Sequence, residues 1–362
     1  MMKIHLVGGF LGSGKTTAII SASKSLMAKG LKIGVITNDQ GKYLVDTHFL
    51  RLEDIPTVEV NGGCFCCNYT NFDESLDLLT ARFRPDIIFA ESVGSCADIV
   101  ATVLQPLLKY KGNSPEETSL SVFTDARLLK AFLNGRDLPF QEGVIYIFEK
   151  QIEEANILVI NKIDLLDQKD ANELVRVTQL KYPEKVIIAQ SSLSPDTVHP
   201  WLERLNSNPT YALDTPLSID YRIYGSGEQI LAWYDSVYQL SGEADQILSW
   251  INQFITTIRD RIMQEEISVG HLKFLVSDGI HHQKFSITSG DYAENTVDML
   301  NKLYRSPIQL ITNARLECPQ HQIQQIFHGV IDQMKSWQAI DCFIQEEQSF
   351  HPGFPEPTHR LI

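Results

Sequence analysis

Lys3-Ile4-His5-Leu6-Val7-Gly8-Gly9-Phe10-Leu11-Gly12-Ser13-Gly14-Lys15-Thr16-Thr17 is the stretch that decides the fold. Its first five residues are short and apolar enough for a buried strand, and Gly9 to Thr16 reads G-x-x-x-x-G-K-[ST]. Thr16 to Lys29 then reads as a helix closed by Gly30. Strand, loop and helix in that order are the context in which this pattern cradles phosphate. The glycines let successive N–H groups turn inward at a polyphosphate, with the positive end of the helix dipole behind them. Lys15 is placed to reach the β- and γ-phosphates and the Thr16 hydroxyl to hold Mg²⁺, while Gly9, Gly12, Ser13, Gly14 and Thr17 complete the cradle. A turn that bound nothing would need no Lys-Thr pair.

Working outward, short apolar runs alternate with amphipathic stretches as far as about residue 205, which predicts βα units and a mostly parallel sheet flanked by helices. The expected strands are Ile4 to Val7, Ile33 to Thr37, Ile87 to Ala90, Leu120 to Thr124, Ile157 to Ile160 and Val186 to Ala189, with Thr57 to Val60 as an added antiparallel or edge strand. Pro106 to Glu117 reads as a polar surface loop. The predicted organisation is an α/β P-loop domain over 1–205, a linker over 206–218, a smaller C-terminal α+β domain over 219–345 and a proline-rich tail over 346–362, extended and exposed. Within the smaller domain, Tyr221 to Tyr224 and Ile230 to Leu240 read as strands and Ala244 to Ile262 as an amphipathic helix. Leu272 to Val276 and Lys284 to Thr288 form a hairpin turning near Asp278-Gly279. A helix near Thr296 to Tyr304, a strand near Gln309 to Leu316 and a helix near Gln320 to Trp337 follow.

The 362 residues carry a formal net charge of −14, with 43% hydrophobic and 21% charged residues. That excess of acid argues against nucleic acid or an anionic membrane surface as partner. No apolar run approaches the ~18 residues of a membrane span. The chain enters a strand at once without a secretory cleavage site, so the expected location is cytoplasmic.

A second motif chooses the base. After Ile157 to Ile160 come Asn161-Lys162-Ile163-Asp164, an N-K-x-D pattern at the carboxyl end of a strand. An aspartate in the purine plane accepts from guanine N1–H and the 2-amino group together, whereas adenine presents an acceptor at N1. The wrong base therefore costs on the order of a few kcal/mol, and GTP is the expected nucleotide. Asn161 would brace the loops and the Lys162 stem would lie over the base. Ser191-Ser192 offers a backbone contact to the guanine oxygen. Thr37-Asn38-Asp39-Gln40-Gly41 and Glu91-Ser92-Val93-Gly94 sit at strand ends where a γ-phosphate is sensed. Asp39 and Glu91 are candidate Mg²⁺-water ligands and the Gly94 N–H a γ-phosphate contact, so Lys15, Glu91 and Asp39 are the candidate catalytic residues. No residue is evident for orienting the attacking water, which predicts slow intrinsic hydrolysis.

Asn61-Gly62-Gly63-Cys64-Phe65-Cys66-Cys67-Asn68 crowds three of the six cysteines into four positions. In an extended segment Cys64 and Cys66 point the same way, and Cys67 can join them where the glycines allow a turn. Three soft thiolates suit Zn²⁺, Cu⁺ or, in a tetrahedral site, Co²⁺, and leave a fourth position open for release. Cys96 reads as a buried structural cysteine, His281-His282 as a solvated pair and His5 as a satisfied core histidine.

The order GGFLGSGKTT, GGCFCC, ESVG, FTDA and INKID resembles the CobW-type GTPases, relatives of UreG and HypB, over about residues 1 to 200. The resemblance implies GTP and Mg²⁺ as ligands, Zn²⁺ or Co²⁺ carried on Cys64, Cys66 and Cys67, delivery to a client metalloprotein on hydrolysis to GDP, and a nucleotide-dependent homodimer. Asn38-Asp39-Gln40-Gly41-Lys42 departs from the family's N-E-x-G-x form, and Gly94-Ser95-Cys96-Ala97-Asp98 from its G-L-A-D-P run. The competing functions are a nucleotide-gated metal- or redox-sensing regulator or adaptor, and a chaperone of a cobalamin-dependent enzyme.

Overall fold

A computed structural model describes residues 2–60, 62–207, 217–289, 305–335 and 340–361. The chain forms two compact units built from interleaved segments. One comprises Met1–Gln40, Leu50–Gly227 and Phe354–Ile362; the other comprises Gly41–Phe49 and Glu228–Gly353.

The first unit is organised on seven strands: β1 (Lys3–Gly9), β2 (Ile33–Asn38), β3 (Thr57–Val60), β4 (Ile87–Glu91), β5 (Thr118–Asp125), β6 (Ile157–Asn161) and β7 (Val186–Ala189). Their order is β3-β2-β4-β1-β5-β6-β7, and every pairing is parallel. β3 lies at the edge as expected, but parallel to β2. Helices α1 (Lys15–Met27), α3 (Tyr69–Phe83), α4 (Ala126–Leu133), α5 (Glu142–Glu154), α6 (Gln168–Lys181) and α7 (Pro195–Asn206) alternate with the strands, while α2 (Val45–Leu52) begins in the segment Gly41–Phe49 of the other unit. β1, β2, β4 and β5 are almost wholly buried. Near-continuous apolar strands of this kind belong to a sheet covered on both faces. β1 sits between β4 and β5, where connections leave in opposite directions and a crevice opens beyond the strand ends.

Two expectations need correction. The segment Pro106 to Glu117 is not a loop throughout, because Val100–Leu104 and Leu107–Lys111 are wound in wide, π-type turns before Gly112 closes them. Wide turns accommodate the missing N–H of Pro106, and the buried Leu104 and Leu107 anchor them. Tyr221 to Tyr224 is the start of helix α8 (Tyr221–Ile230), not a strand. The preference of tyrosine for strands yields here to packing at helical spacing: Tyr221 and Tyr224 stack edge-on at 5.7 Å, while Arg222 and Ile223 face solvent. Gly227 lets this helix come close, since a Cβ there would stand 2.2 Å from the Gly143 carbonyl oxygen.

The second unit is an antiparallel sheet of β8 (Leu231–Ser241), β9 (Ser268–Ser277), β10 (His282–Ile287), β11 (Ile308–Glu317) and β12 (Asp341–Phe350), ordered β10-β9-β11-β8-β12. Helices α9 (Ala244–Gln264) and α10 (Gln320–Met334) share its core through Ile251, Phe254, Ile258, Phe327 and Val330. The β9–β10 hairpin falls where the sequence put it, whereas β12, with Glu346 and Glu347 in its middle, carries no strand signal. The expected helix at Thr296 to Tyr304 and most of the expected linker lie outside the described residues. No helix among the described residues is long and apolar enough to cross a membrane.

Candidate functional site

The strand ends gather the site. Beyond β1 the chain must turn with left-handed backbone, and Gly9, Gly12 and Gly14 have φ of 123, 71 and 87°. Side chains are shut out as well, since a Cβ on Gly9 would stand 2.1 Å from the Phe123 carbonyl oxygen and one on Gly14 2.3 Å from Asn161 Nδ2. Gly14 caps α1 without a side chain, so the first N–H groups of the helix are left for an anion. Lys15 Nζ folds back over this loop and donates to the carbonyls of Gly9 (2.7 Å) and Phe10 (3.3 Å). Ser13 is buried beside it and Thr17 is partly exposed on the first turn.

Thr16 Oγ1 donates to Glu91 Oε1 at 2.9 Å, both residues buried. That pairs the hydroxyl and the carboxylate expected at Mg²⁺. Gly94 packs against the same loop, where a Cβ would stand 2.6 Å from a Leu11 methyl. Asp39 instead closes its own turn, accepting from the Gln40 N–H at 2.8 Å.

On the base side, Asn161 Nδ2 donates to the Ser13 carbonyl (2.7 Å) and its Oδ1 accepts from the Ser192 N–H (3.0 Å) and hydroxyl (2.8 Å). It thus ties three loops together. Asp164 is exposed in a single tight turn, Ile163–Leu165. Lys162, at φ 60°, directs its ammonium to Asp125 Oδ2 at 3.0 Å, and Arg127 forks onto both oxygens of the same carboxylate, at 3.1 and 2.7 Å. The N–H groups of Ser191-Ser192, expected at the guanine oxygen, are already committed to Thr197 Oγ1 and Asn161 Oδ1.

The cysteines sit on a turn between β3 and α3, not on an extended strand. Gly62, at φ 79°, begins the turn. Phe65 anchors it by packing on Phe72 at 4.4 Å. Asn38, at the end of β2, laces it: Nδ2 donates to the carbonyls of Val60 (3.1 Å) and Gly63 (2.7 Å), and Oδ1 accepts from the Phe65 N–H (2.9 Å). The Cys64 and Cys66 sulfurs stand 2.7 Å apart, Cys66 and Cys67 3.7 Å, and all three lie within 4.8 Å of one another. Tetrahedral thiolates about Zn²⁺ are separated by about 3.8 Å, given Zn–S near 2.3 Å. Cys66 and Cys67 already have that spacing, and opening Cys64–Cys66 by about 1 Å would fit the ion. Hydrogen bonds from Cys66, Cys67 and Cys96 hold the Cys64 thiol well below its ordinary range. The bond to Cys64 pushes Cys66 well up and Cys67 to about 12, with burial adding to both. The cluster thus favours ionisation at one sulfur, and a metal would displace the remaining protons.

Several participants escaped the sequence. Asn38 lay inside a quoted strand end without a role. Gln151, buried on α5, donates to the carbonyls of Gly94 (3.0 Å) and Cys96 (2.8 Å) and fixes the segment after β4. The tail is extended as expected but not free: the Glu356 N–H donates to Cys67 Sγ (3.2 Å), Thr358 bonds the carbonyls of Cys66 (2.8 Å) and Cys67 (3.0 Å), and Arg360 reaches Asp98 (2.6 Å). His5 Nδ1 is bonded to Ser119 Oγ at 2.7 Å, but its Nε2 is buried without a hydrogen-bond partner among the described residues. His281-His282 is not a solvated pair: both are half-buried, with His281 beside Asp278 at 3.1 Å and His282 packed on Phe49 at 5.7 Å.

A parallel sheet whose first strand runs into a glycine loop and helix, with a buried threonine–glutamate pair beside the helix start, defines a P-loop nucleotide-binding protein. The CobW/HypB/UreG nucleotide-binding domain matches residues 3–188, and the chain belongs to that family. It is similar to the zinc chaperone CobW of a Sinorhizobium species, 30% identical over 189 residues, covering 45% of this chain and 51% of that one. The zinc chaperone YeiR of Escherichia coli is 28% identical over 198 residues, covering 52% and 55%. The chain thus spans about half the length of such relatives. Among solved structures, HypB from Helicobacter pylori in complex with nickel aligns at 19% identity and TM-score 0.42 over 57% of this chain and 88% of that one. The Zn(II)-bound YjiA GTPase of E. coli aligns at 12% and 0.34 over 91% and 98%.

Proposed function

We propose that the chain is a GTP-hydrolysing metallochaperone that carries Zn²⁺ or Co²⁺ on Cys64, Cys66 and Cys67 and yields it to a client protein when GTP becomes GDP and phosphate. The carrying observation is the lacing of the cysteine turn by Asn38, because β2 also leads into the expected switch segment at Asp39. The zinc chaperones among its relatives support the metal class.

In this reading Lys15 leaves the Gly9 and Phe10 carbonyls for the β- and γ-phosphates, and the N–H groups of the loop neutralise the rest. Thr16 and Glu91 would hold Mg²⁺, with Asp39 as a further candidate partner, and the ion would supply charge neutralisation to the phosphates. Asp164 selects guanine, Lys162 covers it and Asn161 keeps the two loops in register. Gly94 meets the γ-phosphate and is released with it. Hydrolysis is slow until a partner or a second copy of the chain completes the water-positioning group.

The test is anaerobic purification and titration of Zn²⁺ and Co²⁺ in the presence of GDP or a non-hydrolysable GTP analogue, with Cys66→Ala alongside. Affinity should differ between the nucleotide states and collapse in the variant. Equal affinities would leave a metal sensor without a nucleotide switch.

A further inference from the structure

We propose that residues 356–361 form a strap across the open side of the cysteine turn, and that metal reaches or leaves the three sulfurs only while the strap is off; its link to the nucleotide rests on the chaperone reading above. Cys64 and Cys66 are each 2% exposed, whereas Cys67 is partly exposed, so an ion or a client's ligand reaches the cluster past Cys67. The strap lies on that sulfur. The Glu356 N–H donates to Cys67 Sγ at 3.2 Å, the Thr358 N–H to the Cys66 carbonyl at 2.8 Å and the Thr358 hydroxyl to the Cys67 carbonyl at 3.0 Å. Farther on, Arg360 Nε donates to Asp98 Oδ2 at 2.6 Å and the Leu361 N–H to the Ala101 carbonyl at 2.9 Å. Between these two anchors the His359 ring stands 5.2 Å from that of Tyr69, at the start of α3, and 5.1 Å from that of Tyr110. The strap therefore joins the cysteine turn to the segment after β4.

These contacts hold the strap without locking it. Glu356, Thr358 and Arg360 are exposed, so their bonds compete with water and belong to the least stable end of the fold. Pro355 and Pro357 favour re-closure, because they keep the open segment extended and lower the entropy lost on docking. In an extended chain the N–H groups of residues 356 and 358 point the same way, which lets both meet the cysteine turn. The far anchor carries the control. Asp98 is 0% exposed and its Oδ2 also accepts from the Tyr221 hydroxyl at 2.8 Å, so Arg360 brings its charge to a carboxylate that water does not reach. Asp98 stands four residues beyond Gly94, which packs on Leu11 of the phosphate loop. Gln151 clamps the Gly94 and Cys96 carbonyls with one amide, at 3.0 and 2.8 Å, so this stretch shifts as one piece. A displacement of Gly94 when the γ-phosphate leaves thus draws Asp98 from Arg360 and loosens the strap over Cys67. Metal is freed to leave although its three sulfur ligands stay the same.

Arg360→Ala in the full chain removes the far anchor without touching a cysteine, and two measurements follow from it. In the metal-free protein, the rate of Cys67 alkylation, read by mass spectrometry, tracks the population with the strap open. It should rise at least ~10-fold, the scale of one lost charge-assisted hydrogen bond, and several-fold in Thr358→Val, which loses only the hydroxyl bond. Unchanged alkylation in both variants, with fluorescent GTP-analogue binding retained as the check on folding, would overturn the strap. With Zn²⁺, stopped-flow loading and withdrawal by a chelator should both quicken in Arg360→Ala by a similar factor, because a gate slows passage in each direction. Faster withdrawal alone, with affinity falling in step, would mean that the segment merely supports the bound thiolates and would reject the gate. The chaperone reading fails separately. Equal metal affinities with GDP and with a GTP analogue would sink that reading and the nucleotide link, while faster alkylation in Arg360→Ala would still establish the strap. A nucleotide effect on zinc exchange that persists at full size in Arg360→Ala would keep the chaperone and reject the strap as its link.

Discussion

Asn38→Ala tests whether the end of β2 positions the metal site. The side chain makes three hydrogen bonds, to the Val60 and Gly63 carbonyls and from the Phe65 N–H, and Asn38 is 7% exposed. Truncation strands all three groups. Gly63 is partly exposed and can turn to water, whereas Val60 and Phe65 are buried. Two dry orphans at ~1–3 kcal/mol each give a loss of about 2–6 kcal/mol, or a fall in Tm of roughly 4–24 °C at about 2–4 °C per kcal/mol for a unit of this size. Because the cysteine turn loses its register, zinc affinity should drop about 10–100-fold, as for other supports of metal ligands. The assays are calorimetry of the metal-free protein and competition with a chromophoric chelator, each with and without GDP. Asn38→Asp keeps the acceptor for Phe65 and loses both donors, so it should fall between wild type and alanine. Nucleotide affinity should stay within about threefold, since none of the three bonds reaches the phosphate loop. Zinc affinity within twofold of wild type in a folded Asn38→Ala protein would refute the argument, as would loss of nucleotide binding in step with loss of metal.

Three further outcomes are expected. Gly14→Ala must place a Cβ 2.3 Å from Asn161 Nδ2 at φ 87°; it should destabilise by at least ~1 kcal/mol and abolish GTP-analogue binding by fluorescence, and wild-type affinity would show the loop to be less confined than described. Burial, and then the neighbouring Asp98, push the Glu154 carboxyl up to about 8, while its Oε2 accepts from the Ile99 N–H at 2.7 Å. The folded state thus keeps a proton that the unfolded chain sheds near 4.5, so stability present below that pH declines as pH rises and is gone above about 8. Urea midpoints between pH 5 and 8.5 should fall less steeply for Glu154→Gln than for wild type, and parallel slopes would rule the residue out. Ending the chain after Gly353 removes the Glu356 N–H from Cys67 Sγ and both Thr358 bonds. Alkylation of Cys67, followed by mass spectrometry, should quicken several-fold, and an unchanged rate would mean the tail does not shield it.

What the sequence could disclose was whatever the backbone itself enforces. The glycines from Gly9 to Gly14 are required by left-handed φ and by contacts that exclude a Cβ, and such requirements write a motif over a few adjacent residues. The same holds for Asn161, whose partners Ser13 and Ser192 lie on loops that the βα pattern already brings to one edge. Asn38, Gln151 and Glu356 obey no such rule. Asn38 and Gln151 act through bonds to backbone groups of other segments and the Glu356 N–H through the Cys67 sulfur, 289 residues away, and any residue type with an N–H or amide could have served. Tyr221 to Tyr224 failed for the opposite reason, because local preference pointed to a strand and packing at helical spacing prevailed.

The neighbouring ends of β2 and β4 show how a metal switch could be spread over a sheet without any continuous motif. Parallel strands β2 and β4 are hydrogen-bonded neighbours, with Thr37 opposite Glu91, so whatever follows one strand end lies near whatever follows the other. One such end carries Asn38, which laces the cysteine turn, and the other carries Glu91, Gly94 and Cys96. The phosphate loop on β1 adjoins β4 directly. The coupling then requires no long relay: it depends on whether the segment Glu91 to Cys96 has two positions, one with the γ-phosphate and one without. Lengthening that segment by one glycine between Gly94 and Cys96 should preserve both GTP and metal binding but erase the dependence of metal affinity on the nucleotide. Persistence of that dependence would mean that the signal travels by β2 and Asn38 instead.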